Sequence, residues 1–101
     1  MFHKDFLRLK HWLADVGWVV LYLESPVLGR PGDNQYEYLN AAFKDGMGIF
    51  HFSDGLRIEI SRPIKLDVSG AYIELHSIEI LGVSWRGSFV ELHDTLLRID
   101  K

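Results

Sequence analysis

One short pattern occurs three times in the second half of the sequence, and it constrains the fold more than any other feature. Each copy reads Gly-x-x-(Ile/Val)-Glu-(Ile/Leu), and the copies begin at Gly55, Gly70 and Gly87. Aliphatic and polar residues alternate within each copy, as in a strand with one buried face and one solvated face. Residues 46–101 are therefore predicted to be rich in β-strands. The residues predicted to point into the core are Ile58, Ile73 and Val90.

Two architectures can contain this repeat. In an antiparallel meander, each copy belongs to a strand that returns along its neighbour. In a small β-solenoid with a helical cap, the copies stack, so that Glu59, Glu74 and Glu91 lie directly opposite one another. Opposed like charges are destabilising in a sheet, and the unequal spacing of the copies suits a stacked repeat poorly. We therefore predict a meander and keep the solenoid as the alternative.

Residues 1–16 predict a helix. Apolar residues recur there at intervals of three and four, namely Phe2, Phe6, Leu9, Leu13 and Val16. Gly17 follows, at the position where a helix commonly ends in a left-handed residue. A chain of 101 residues is long enough for one domain with one core. The predicted fold over 1–101 is thus α+β, with the helix packed on a mostly antiparallel, repeat-containing sheet.

Residues 17–45 join the helix to the repeat region. Residues 17–24 form a continuous apolar run, which predicts a strand buried on both faces and covered on one of them by the helix. Residues 25–34 hold two prolines and two glycines and predict a loop. Residues 35–44 suit either a short helix closed by Gly46 or an edge strand, and we favour the helix.

Two local signals refine the β-rich part. Asp54 and Gly55 can adopt positive φ angles, which predicts a two-residue hairpin turn between strands at 47–53 and 56–61. Pro63 cannot donate a ladder hydrogen bond, so we expect it at a sheet edge or a bulge.

Composition excludes several classes of protein. The formal net charge is -3, and the basic residues are scattered, so nucleic acid has no electrostatic reason to bind. The chain has no cysteine, which rules out disulfides and thiolate chemistry. Charges interrupt the N-terminal region where an export signal would be apolar, and no run approaches the about 20 apolar residues that cross a bilayer. We expect a cytoplasmic protein with no membrane partner.

The histidines are the candidates for catalysis or metal binding. His76 and His93 occupy equivalent positions in two copies of the repeat, but no HxH, HxxxH or HExxH spacing occurs. His51 with Asp54, and His93 with Asp94, resemble a general base with its orienter, yet no nucleophile elbow accompanies them. We therefore expect no catalytic residue, no metal and no cofactor. A small hydrolase that uses His51, His76 or His93, with or without a metal, is the least favoured alternative.

The remaining functional signal is a group of aromatic, acidic and histidine residues on the outer face of the predicted strands. The predicted partner-binding residues are Tyr72, Glu74, His76, Phe89, Glu91 and His93. This mixture is typical of protein–protein contacts. The alternative is that the N-terminal helix or residues 25–45 cover that face, since a helix packed on a sheet needs an apolar face.

These observations predict a small protein-binding or inhibitory module. The favoured form is an immunity or antitoxin protein that occludes a partner, and the acidic charge suits a basic toxin or nuclease domain. A phage or secretion assembly protein that forms a homodimer through an open sheet edge is the alternative.

Overall fold

The computed structural model describes residues 2–22, 35–62 and 65–101. The described residues form one α-helix, α1 (Phe2–Val16), and seven strands: β1 (Trp18–Tyr22), β2 (Gln35–Lys44), β3 (Met47–Phe52), β4 (Arg57–Ser61), β5 (Lys65–Val68), β6 (Tyr72–Trp85) and β7 (Ser88–Asp100).

The predicted N-terminal helix is confirmed. It ends as expected, because Gly17 has a φ of 82° and its N–H donates to the carbonyl of Leu13 at 2.8 Å. Phe6, Leu9 and Leu13 are buried in the same cluster as the barrel interior. Fully burying side chains of this size contributes about 1.5–3 kcal/mol each. No helix in the described parts of the chain is long and apolar enough to cross a membrane.

The strands form one antiparallel sheet in the order β4-β3-β2-β1-β7-β6-β5, and an additional pairing of β4 with β6 closes six of them into a barrel. The predicted meander and its solenoid alternative are therefore both wrong. Closure is possible because β6, at 14 residues, is long enough to pair with β7 on one edge and with both β4 and β5 on the other.

The three copies of the repeat lie in β4, β6 and β7 but do not stack. Glu59 is opposite Gly82, whereas Glu74 is opposite Asp67 and Arg98. The aliphatic residues behave as predicted: Ile58 and Ile73 are buried, and the half-buried Val90 packs against the core.

The segment between α1 and the repeats differs most from its prediction. Residues 35–44 form β2 rather than a helix, because this segment pairs with β1 and β3 and buries Tyr36. Tertiary pairing overrides local propensity here. The predicted loop at 25–34 and the predicted edge position of Pro63 both lie outside the described residues.

β1 is not buried on both faces, which corrects the second prediction for this segment. Val19 and Leu21 are buried, whereas Trp18 is 56% exposed and Tyr22 is 38% exposed. The buried side of α1 joins the interior cluster, so the helix does not cover the outer side of β1.

β3 and β4 form the predicted hairpin around Asp54, but the predicted two-residue turn is wrong. Residues 53–56 connect β3 to β4, and both Asp54 and Gly55 have positive φ angles. A two-residue turn with positive φ at both positions joins β6 to β7 instead, at Arg86 and Gly87.

Candidate functional site

The six predicted partner-binding residues all lie on the outer side of the barrel wall, but they do not form one surface. β6 and β7 are antiparallel, so the repeat begins at the open end of their hairpin in β6 and at the turn in β7. Equivalent positions are therefore far apart. Tyr72, Glu74 and His76 lie at the open end, and the other three lie beside the turn. The surface at the open end is called the His76 cluster (Asp67, Glu74, His76 and Arg98), which Tyr72 borders. The surface beside the turn is called the Phe89 face (Glu59, Gly82, Phe89, Glu91 and His93).

The Phe89 face is centred on an exposed aromatic ring. Phe89 is 60% exposed, more than any other large hydrophobic residue in the described part of the chain. Its ring lies against the backbone of Gly82, where an added Cβ would be 3.3 Å from Phe89 Cε1 and 3.5 Å from Glu59 Oε2. Because Gly82 has no side chain, one side of the ring packs on the strand and the other side faces solvent.

Carboxylates flank this ring on both sides. The backbone register places Glu59 of β4 and Glu91 of β7 directly opposite Gly82. Glu59 is paired with Arg57, and Glu91 contacts His93 Nε2 at 3.0 Å. The exposed ring is thus set between two acidic side chains on a hydrogen-bonded sheet.

Side-chain contacts join two loops at the turn end of the β6–β7 hairpin. Arg86 donates to Asp54 at 2.7 Å, Trp85 Nε1 donates to the same carboxylate at 3.3 Å, and the Arg86 guanidinium lies 4.5 Å from the Trp85 ring centre. The hydrogen bond from Arg86 holds the pKa of Asp54 below its usual value. These contacts tie the β3–β4 loop to the β6–β7 turn.

The two His–Asp neighbour pairs do not form the arrangement that a general base would need. The Asp54 carboxylate is engaged by Arg86 and Trp85, and His93 contacts Glu91 rather than Asp94. The expectation of no catalytic residue stays a prediction, since an arrangement of side chains does not by itself test activity.

The His76 cluster consists of charged groups on three adjacent strands. Asp67 of β5 is directly opposite Glu74 of β6, and His76 Nε2 lies 3.0 Å from Asp67 Oδ2. Arg98 of β7 is opposite Glu74, with Nη1 4.0 Å from Glu74 Oε2. The structure thus places His76 beside two carboxylates and separates it from His93.

Arg98 contacts three other side chains, those of Asp100, Tyr72 and Glu74. Its Nε donates to Asp100 at 2.7 Å, and its guanidinium lies 4.3 Å from the centre of the Tyr72 ring. The hydrogen bond to Asp100 raises the pKa of Arg98, so the guanidinium is a fixed positive charge. Arg98 thus lies over Tyr72 and 4.0 Å from Glu74, two of the predicted contact residues.

Sequence reasoning missed Asp67 and Arg98. The signal for Asp67 was present, because the Ser69-Gly70 turn separates two strands whose antiparallel register places Asp67 opposite Glu74. Arg98 had no comparable local signal, since it reaches Glu74 through the long register of the β6–β7 hairpin.

Comparison with known proteins gives no assignment: no family model matches the sequence, and no curated protein or solved structure matches it either. The two surfaces are therefore the basis on which a function is inferred.

Proposed function

We propose that this protein is a small cytoplasmic protein-binding module, of the immunity or antitoxin type, that neutralises a basic partner by covering its surface with the Phe89 face. The observation that carries the proposal is the Phe89 ring, 60% exposed, seated on Gly82 and flanked by two carboxylates.

An exposed aromatic ring on a rigid support is suited to anchor a protein contact. Aromatic residues dominate the energetic centres of protein interfaces, where they fill pockets on the partner. Phe89 lies on a strand that is hydrogen-bonded to β6, so little backbone ordering is needed on binding. Lower ordering cost leaves more of the contact energy as affinity.

The flanking charges support a basic partner. Glu59 and Glu91 lie on either side of the ring, and the whole chain carries a formal charge of -3. Complementary charge raises the association rate and disfavours acidic partners more than it adds affinity. A basic toxin or nuclease domain with an apolar pocket has the required chemistry.

Barrel closure removes the edges of β3 and β4 as routes to the homodimer alternative. β3 pairs with β2 and β4, and β4 pairs with β3 and β6, so both edges of these strands are occupied. Closure of a sheet removes edges through which copies would otherwise pair. β5 pairs with β6 alone among the described strands, so its other side is the edge at which the homodimer alternative would form.

The test measures binding to, and protection against, the product of the adjacent gene, because inhibitors are commonly encoded beside their targets. Phe89→Ala is compared with Trp18→Ala, which removes a similarly exposed aromatic ring from β1, outside the Phe89 face. We expect Phe89→Ala to weaken binding by about tenfold or more and to abolish protection, whereas Trp18→Ala leaves both unchanged. Equal effects of the two variants, or neither binding nor protection by the unaltered protein, would refute the proposal.

A charge test addresses the nature of the partner. Replacing Glu59 and Glu91 together with lysine should slow association at low salt and change dissociation little. An association rate that is unchanged, or faster, would show that the partner surface is not basic.

A further inference from the structure

We infer that Asp67, Glu74 and His76 form a binding site for a divalent transition-metal ion, with Zn²⁺ as the best fit. The site lies at the opposite end of the β6–β7 hairpin from the Phe89 face and does not depend on the proposed function.

The sheet brings three ligand atoms together. Asp67 and Glu74 are opposite each other on β5 and β6, and His76 follows two residues later on the same side of β6. One ligand atom from each side chain lies within 4.8 Å of the other two, and all three side chains are half-buried. Ligand atoms around a tetrahedral zinc ion are about 3.3 Å apart, given bond lengths near 2.0–2.1 Å. Small rotations of surface side chains cover that difference.

The donor set favours a transition metal over a hard cation. One imidazole nitrogen with two carboxylate oxygens matches the ligands that zinc takes, with a fourth position left for water. Magnesium and calcium prefer all-oxygen surroundings with more ligands. His76 would bind through Nε2, the atom that now contacts Asp67 at 3.0 Å, so its proton would move to Nδ1.

The charges around the site leave room for a cation. Lys65 Nζ is 3.7 Å from Asp67 Oδ1, and Arg98 is 4.0 Å from Glu74 but bound more closely to Asp100. Two positive groups therefore face three carboxylates. Arg98 would stay outside the ligand set, hydrogen-bonded to Asp100 and close enough to Glu74 for an ion pair only.

The chain contains a matched control for this site. His93 Nε2 contacts Glu91 at 3.0 Å, the same separation as between His76 and Asp67. No third histidine or carboxylate ligand joins this pair within the described part of the protein. His93 therefore has only one carboxylate partner, whereas His76 belongs to a set of three potential ligands.

The test titrates metal-free protein at neutral pH with Co²⁺ alone, followed by its absorption in the visible range, and with Zn²⁺ alone by calorimetry. We expect saturable binding of one ion per chain. His76→Gln and Glu74→Gln should each weaken metal binding by about 100-fold, since even a change next to a ligand costs up to that much. His93→Gln and Phe89→Ala should leave metal binding unchanged. Zn²⁺ should also raise the melting temperature of the unaltered protein and His93→Gln but not of His76→Gln.

Absence of saturable binding to the unaltered protein would overturn the site. An equal loss in His93→Gln and His76→Gln would overturn it as well, because binding would then be to any surface histidine. Circular dichroism of each variant verifies that the fold is retained, and Glu74→Gln, which keeps the shape of the side chain, provides a second reading if His76→Gln is unstable.

Discussion

The two ends of the β6–β7 hairpin contain the same repeat and present different surfaces. At the open end, β6 lies between β5 and β7, Ile73 is fully buried, and Glu74 meets Arg98. At the turn end, Val90 is half-buried and Phe89 is largely uncovered. The repeated sequence therefore specifies strands. The neighbouring strands decide whether the surface is a network of paired charges or an exposed ring.

A bulge separates the two ends. The register of β6 against β7 shifts between Leu75 and Ile78, and Ser77 has a φ of 52° within the strand. An extra residue of this kind bends a strand and re-aims its side chains. The surfaces at the two ends are therefore distinct in direction as well as in composition.

The largest expected effect comes from the core positions of the two copies. Ile73→Ala should lower the free energy of unfolding by about 3 kcal/mol, because it opens a cavity in a fully packed interior, and Val90→Ala by about 1 kcal/mol. Urea unfolding monitored by circular dichroism measures both. Similar losses would mean that the two ends are equally packed, against the comparison above.

A smaller effect is expected from the charge network at the open end. Arg98→Ala should lower the melting temperature, because it removes the partner of Asp100 and Glu74 and the stack on Tyr72. Arg98→Lys keeps the charge but not the planar fork, so it should recover only part of the loss. The ionic part of the loss should shrink in high salt. Full recovery by lysine would show that charge alone matters there.

The bulge predicts a gain rather than a loss. Ser77→Gly should raise the free energy of unfolding by about 0.5 kcal/mol, because glycine adopts a positive φ without steric cost. Ser77→Val should lower it, since a β-branched side chain is strained in that region. Unfolding curves of the two variants in opposite directions from the unaltered protein would confirm the bulge, and shifts in the same direction would contradict it.

The smallest effect concerns the turn end and depends on pH. Arg86 holds the pKa of Asp54 below its usual 3.8, so the contact stabilises the fold above that value and is lost as the pH falls through the lowered pKa. Asp54→Asn, which tolerates the same backbone angle, should therefore melt slightly lower at neutral pH. The difference should vanish in strong acid. A difference that persists there would point to packing rather than charge.

Local signals in the sequence account for the parts of the fold that were predicted correctly. The stripe of α1 with Gly17 after it, and Asp54-Gly55 between two alternating segments, are each encoded within a few residues. Barrel closure has no such signal, because β1 meets β7 and β4 meets β6 across long stretches of chain. β2 was predicted as a helix because its pairing with β1 and β3 likewise leaves no signal within the segment itself.

The candidate sites, too, were predictable only in part. The aromatic, acidic and histidine residues could be singled out from the alternation of the strands, but not their division into two groups. That division depends on the antiparallel course of β6 and β7. Gly82 was missed as the seat of Phe89, since a glycine within a strand gives no indication of which ring lies on it.

The pairing of β1 with the end of β7 also governs the order in which the structure forms. Val20 contacts Asp100 and Tyr22 contacts Arg98, so the wall cannot be completed until β7 has left the ribosome. Contacts between such distant parts of a chain slow folding, because the loop must close before they are made. The helix and early hairpins emerge first, and their apolar residues remain partly uncovered until β7 pairs with β1.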